Sequence, residues 1–133
     1  MMTAEGARNV RWGLILLPLG LLSGLGLSLF AFVPLVAPPM GFQSYGDLPR
    51  RMARLAHIAA VMLPLINIVI GSKLDLLALS PKWRRWASWL LLLGAVTLPP
   101  ALLAQALSPT LAALHVSGVP AFALTAALLI TAG

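Results

Sequence analysis

WASWLLLLGAVTLPPALLAQA, residues 86–106, decides the fold: not one of its residues is charged. A bilayer core is about 30 Å thick, and about 20 helical residues cross it. Three more apolar runs of similar kind occur, Trp12–Val36, Arg54–Gly71 and Thr110–Ala132. Between them they leave little chain outside the lipid. The reading is all-α: an integral membrane four-helix bundle of two antiparallel hairpins, residues 1–133 forming one transmembrane domain. The expected helices are 12–36, 50–71, 84–106 and 110–132.

Composition agrees. The hydrophobic fraction is 60% and the charged fraction 9%, whereas a soluble domain carries about 25% charged residues. The net charge is +6, but the basic residues are split among short segments flanking the runs. That is the pattern of topogenic charges and headgroup contacts, so the expected partners are the bilayer and other membrane subunits or a second copy, and no nucleic acid. The absence of cysteine excludes disulfides, thiolate metal sites and Cys nucleophiles. Arg8 and Arg11 precede the first run as in a signal peptide. The run is longer than an h-region of about 7–15 residues, and Pro38-Pro39 is a poor cleavage site, so a retained helix is expected.

Arg8, Arg11, Lys73, Lys82, Arg84 and Arg85 fall on one side of a four-span chain. Arg50, Arg51 and Arg54 fall on the other. The positive-inside rule then puts both termini in the cytoplasm. The Ala/Leu/Pro/Arg-rich style fits a GC-rich bacterial genome, and hence an inner membrane. Trp12, Trp83, Trp86 and Trp89 would sit at the cytoplasmic interface, where indoles settle. Gly20, Gly24 and Ser28 form a ladder of small residues that lets helices approach closely. It serves as a packing seam within the bundle or between copies.

Polar residues inside the lipid are costly and point to function. His57, Asn67, Gln105 and His115 are the main ones. On a helical wheel Arg50, Arg54 and His57 share one face of the second helix, with Asn67 at its edge. Ala53 and Ala60 leave space beside them. Counting from Pro49 and Pro109 at 1.5 Å per residue, His57 and His115 lie about 12 and about 9 Å along their helices, from the same membrane face. Two imidazoles facing each other in a bundle would hold a b-type haem. Arg50 or Arg54 would pair with its propionates, and Met40 and Met52 are alternative soft ligands. The bland alternative is interhelical hydrogen bonding.

Phosphate loops, HExxH, CxxC and nucleophile elbows are missing. The acids are Glu5, Asp47 and Asp75, all at the edges of the runs, so no catalytic set and no metal site is legible and the balance leans away from an enzyme. The leading expectation is a non-catalytic accessory subunit packing against larger membrane partners. The alternatives are a haem- or quinone-associated redox anchor using His57 and His115, and a subunit of a small oligomeric transporter or channel. The threading has a direct check. A periplasm-active reporter fused at residue 133 is expected to be silent, and one inserted at Phe42 active. The reverse pattern would invert the orientation.

Overall fold

The computed structural model describes residues 2–29 and 36–132, Pro109 by its backbone alone. It is all-helical. Helix α1 is Ala4–Ser28, α2 Leu48–Lys73, α3 Pro81–Leu107, α4 Pro109–Ala113 and α5 Gly118–Ala132. A 3₁₀ turn, Leu74–Leu76, closes α2. The helices α1, α2 (with its 3₁₀ turn) and α3 are each long and apolar enough to cross a membrane. Leu14, Leu19, Leu22 and Leu25 of α1, and Ile58, Met62 and Val69 of α2, stand exposed, as lipid-facing side chains would. This is a small integral membrane protein.

The helix ends differ from the sequence expectation, and capping explains most of the difference. α1 begins at Ala4 rather than residue 12, because the Thr3 hydroxyl accepts from the Gly6 amide at 3.3 Å. Glu5 in the first turn suits the positive end of the helix dipole. Residues 30–35 of the expected run 12–36 lie outside the described residues. α3 starts at Pro81, capped by Ser80. The expected helix 110–132 is two helices. His115 has φ +48°, a left-handed conformation that ends α4. Pro120 lacks the N–H that a continuous helix would have given to the Val116 carbonyl. In the first turn of a new helix that missing N–H costs nothing, and α5 restarts at Gly118.

α1 and α2 pack antiparallel along glycines. A β-carbon on Gly6 would lie 2.5 Å from the Gly71 carbonyl, and one on Gly13 2.7 Å from the Pro64 carbonyl. One on Gly20 would run into the Ala60 carbonyl, and one on Gly24 would stand 2.6 Å from the His57 ring. α2 packs on α3, and α3 on α5. There Gly94 accommodates Leu124, and Leu63, Leu91, Ala95, Leu124 and Ala127 make the apolar centre. Near the end of α3, Phe42, Ala53 and Ala106 form a second cluster.

One buried polar network ties three helices at the end where α1 starts. Asn9, Asn67 and Ser88 are each fully buried. Asn9 Nδ2 donates to Asn67 Oδ1 at 3.0 Å and to the Ser88 carbonyl at 3.4 Å. Asn67 Nδ2 donates to the carbonyls of Leu63 and Leu91. The Ser88 hydroxyl donates to Asn9 Oδ1 and accepts from Arg8 Nη2 at 2.6 Å. Every amide proton has an acceptor, which is the condition under which buried polar groups hold a fold rather than weaken it. Nearby, Asp75 accepts from the Thr3 amide (2.8 Å) and hydroxyl (2.6 Å), fastening the start of α1 to the end of α2.

Since Asn9 and Asn67 share a hydrogen bond, their losses should not add. Thermal or denaturant unfolding of Asn9→Ala, Asn67→Ala and the double variant is expected to give a coupling of about 0.6–1.7 kcal/mol, the range of interhelical bonds in lipid. Strict additivity would mean that the two side chains act separately.

Candidate functional site

Beyond the polar network, α1, α2 and α3 part around an open cavity of about 340 Å³. Small residues make it. Gly26 on α1 and Ala53, Ala56 and Ala60 on α2 have too little volume to fill the gap. On the far wall Pro99, Pro100 and Leu103 of α3 close it. Two consecutive prolines inside α3 withdraw the N–H groups that would bond the carbonyls of Ala95 and Val96. These four residues, with Gly20, Ala60 and Pro64, line a smaller adjoining space of about 150 Å³. Ser23 and His57 are the polar side chains of the larger cavity.

His57 is held by its Nδ1. That atom lies 3.2 Å from the Gly20 carbonyl and 2.9 Å from Ser23 Oγ. A carbonyl can only accept. The Ser23 hydroxyl spends its own proton on the same Gly20 carbonyl, at 2.6 Å, so toward His57 it accepts too. With the Ser23 hydroxyl donating to Gly20, a proton on Nδ1 satisfies both contacts, and in the neutral ring that leaves Nε2 as a lone-pair donor. This is the arrangement by which proteins fix the tautomer and orientation of an imidazole that ligates a metal. The close approach at Gly20 brings α1 near enough for the bond, and Gly24 leaves room for the ring edge.

The other residues expected at a site are dispersed. Arg54 stacks its guanidinium 3.7 Å above the Tyr45 ring, and Arg50 lies 5.5 Å from the same ring while donating to the Phe42 carbonyl. Both sit on the His57 face of α2, one and two turns earlier. They bind the loop before α2 to that helix. Asn67 belongs to the polar network, two to three turns past His57 on the other side of Pro64. Gly20 and Gly24 face α2, whereas Ser28 is exposed and bonds the Leu25 carbonyl of its own helix. His115 is exposed in the turn between α4 and α5, and it does not line the cavity. Met40 is 91% exposed. Gln105 accepts from Ser117 Oγ at 3.0 Å and steadies that turn.

Sequence reasoning passed over Ser23, Asn9 and Ser88. Ser23 sits three residues past Gly20, the spacing at which a helical hydroxyl returns to a carbonyl of its own helix. Asn9 was hidden by placing the helix start at residue 12. Among the described residues no group of three His, Cys, Asp or Glu could ligate a metal together.

Residues 6–133 match a protein-family model described as SOI, styrene oxide isomerase. No curated protein and no solved structure matches the chain.

Proposed function

The chain belongs to the styrene oxide isomerase family, and on that premise we propose that it is an intramembrane enzyme isomerising small apolar epoxides, aryl epoxides first among them, to carbonyl compounds. The observation that carries the reading is a small, mostly apolar cavity inside a membrane bundle, with one oriented imidazole in its wall.

The chemistry suits such a place. An electrophile draws electrons from the epoxide oxygen, and the C–O bond at the aryl-bearing carbon breaks. Positive charge develops there, shared with the ring. A hydrogen migrates with its electron pair from the neighbouring carbon, and that carbon forms C=O with the oxygen it kept. No atom enters or leaves, so neither water nor a co-substrate is needed. Water would in fact trap the cation as a diol. Walls of alanine, proline and leucine keep it scarce, and an apolar epoxide arrives from the lipid.

The electrophile is the harder requirement. The acids, Glu5, Asp47 and Asp75, are not cavity residues, and His57 in its Nδ1–H form presents a lone pair at Nε2 rather than a proton. A lone pair serves by ligating a Lewis acid. The donor set fits a b-type haem: one imidazole anchored through Nδ1, with glycine and alanines beside it. His57 would hold the group, and bound ferric iron would supply the Lewis acidity that the epoxide oxygen needs. Ser23 and the Gly20 carbonyl would keep the ring in its ligating tautomer.

This replaces the accessory-subunit expectation, for which family membership gives no support, and it keeps His57 from the haem alternative while turning its purpose from electron transfer to isomerisation. In the same proposal Pro109–Ala132 completes a fourth span, since α5 alone rises only about 22 Å, and both termini are cytoplasmic.

The experiment uses purified protein expressed with haem available and styrene oxide carrying two deuteriums on its terminal carbon. The product is expected to be the arylacetaldehyde retaining both deuteriums, one of them moved to the benzylic carbon, and the protein to carry a Soret band. His57→Ala should lose band and conversion together. Ser23→Ala should keep the fold and lose about 10–100-fold in activity or haem affinity, as second partners of metal-bound histidines do. Diol formation, or no conversion by a haem-bearing preparation, would overturn the isomerase reading. Full activity of His57→Ala would remove His57 from it.

A further inference from the structure

We propose that the end of the bundle where α1 and α3 begin binds the headgroup of an anionic phospholipid. Two open clefts lie there. One, of about 610 Å³, is bordered by Arg8, Arg11 and Trp12 over an apolar floor that includes Ile15. The other, of about 510 Å³, is bordered by Lys82, Arg85, Trp86 and Trp89. The guanidinium of Arg8 lies 4.1 Å above the Trp89 ring and joins the two.

Charge commits the occupant. Four cations border the clefts. Glu5, 4.0 Å from Arg85, is the acid beside them, and Asp75 is spent on Thr3. Arg8 is fixed by its bond to Ser88 Oγ, itself part of the buried network, while its Nε is buried with no hydrogen-bond partner. A phosphodiester oxygen would form charge-assisted bonds with Arg11 and Lys82, which are exposed beside it. A zwitterionic headgroup would bring its own cation against these.

Depth commits the class. The clefts lie at the ends of helices long enough to span a bilayer, and Trp12, Trp86 and Trp89 are each about half exposed (44%, 53% and 54%). Indoles so placed belong at headgroup level. The apolar floor running toward Ile15 continues into the lipid-facing side of α1, so the ligand has acyl chains as well as a phosphate. At the other end of α2, by contrast, Arg50 and Arg54 are engaged by Tyr45 and the loop before it.

The test titrates phosphatidylglycerol into phosphatidylcholine nanodiscs holding the full chain, reading the thermal midpoint and lipid retention in native mass spectrometry. Wild type is expected to respond saturably. Arg11 and Lys82 are exposed, so Arg11→Gln with Lys82→Gln should melt like wild type in pure phosphatidylcholine. It should need about 25-fold more phosphatidylglycerol for half-saturation, about fivefold for each charge removed near a membrane surface. Arg51→Gln, at the other end, should titrate as wild type. Should the double variant melt lower in phosphatidylcholine, Lys82→Gln alone is read, with a fivefold shift expected. The proposal fails if these variants titrate as wild type, if Arg51→Gln weakens binding equally, or if soluble glycerol phosphate reproduces the whole response.

Discussion

The carbonyl of Ala60 pressed against Gly20 is the contact on which the rest of the structure depends. Pro64 cannot give that carbonyl a helical hydrogen bond, so it faces the neighbouring helix instead. Only a residue without a side chain can receive it at that distance, and close approach through such residues is how helices pack in lipid, where there is no hydrophobic drive between them. With α1 and α2 so near, the Gly20 carbonyl reaches Nδ1 of His57, and Ser23 completes the hold. Carbonyls against Gly6 and Gly13 repeat the device, and the His57 ring against Gly24 continues the seam to where it opens.

The molecule divides its polar groups by purpose. At one end Asn9, Asn67 and Ser88 satisfy one another, with Arg8 bonded to Ser88, and lock three helices. Nearer the other end the helices are spread by small residues and prolines around a mostly apolar space. A locked end lets the open end keep its shape without filling it. Such a gap offers few polar groups to water, which suits the proposed rearrangement of an epoxide.

The three long apolar helices were legible in the sequence because hydrophobicity is read residue by residue and every lipid-crossing segment must meet it. Helix ends were not, since Thr3 and Ser80, the residues that set them, sit in polar stretches that hydropathy discards. Asn9 was lost with the first of those turns. The spacing of seven between Gly6, Gly13 and Gly20 was readable, but not which helix faces it. Pro120 held the signal for the break before α5, as it denies Val116 a donor. His57 stood out by depth and face; its partner, 34 positions earlier on another helix, had no local signature. His115 shared the depth calculation, but that calculation assumed one unbroken final helix, and the turn at residues 114–117 takes His115 out of it.

The orientation of one ring therefore tests the account most directly. Nitrogen-15 NMR of His57, in haem-free protein in neutral lipid bilayers, distinguishes a protonated ring nitrogen from a bare one. The account predicts a proton on Nδ1 and a lone pair on Nε2, with that preference weakened in Ser23→Ala. A proton found on Nε2 instead would mean that the Gly20 carbonyl does not hold the ring, and the link from helix packing to a ligand-ready histidine would be broken.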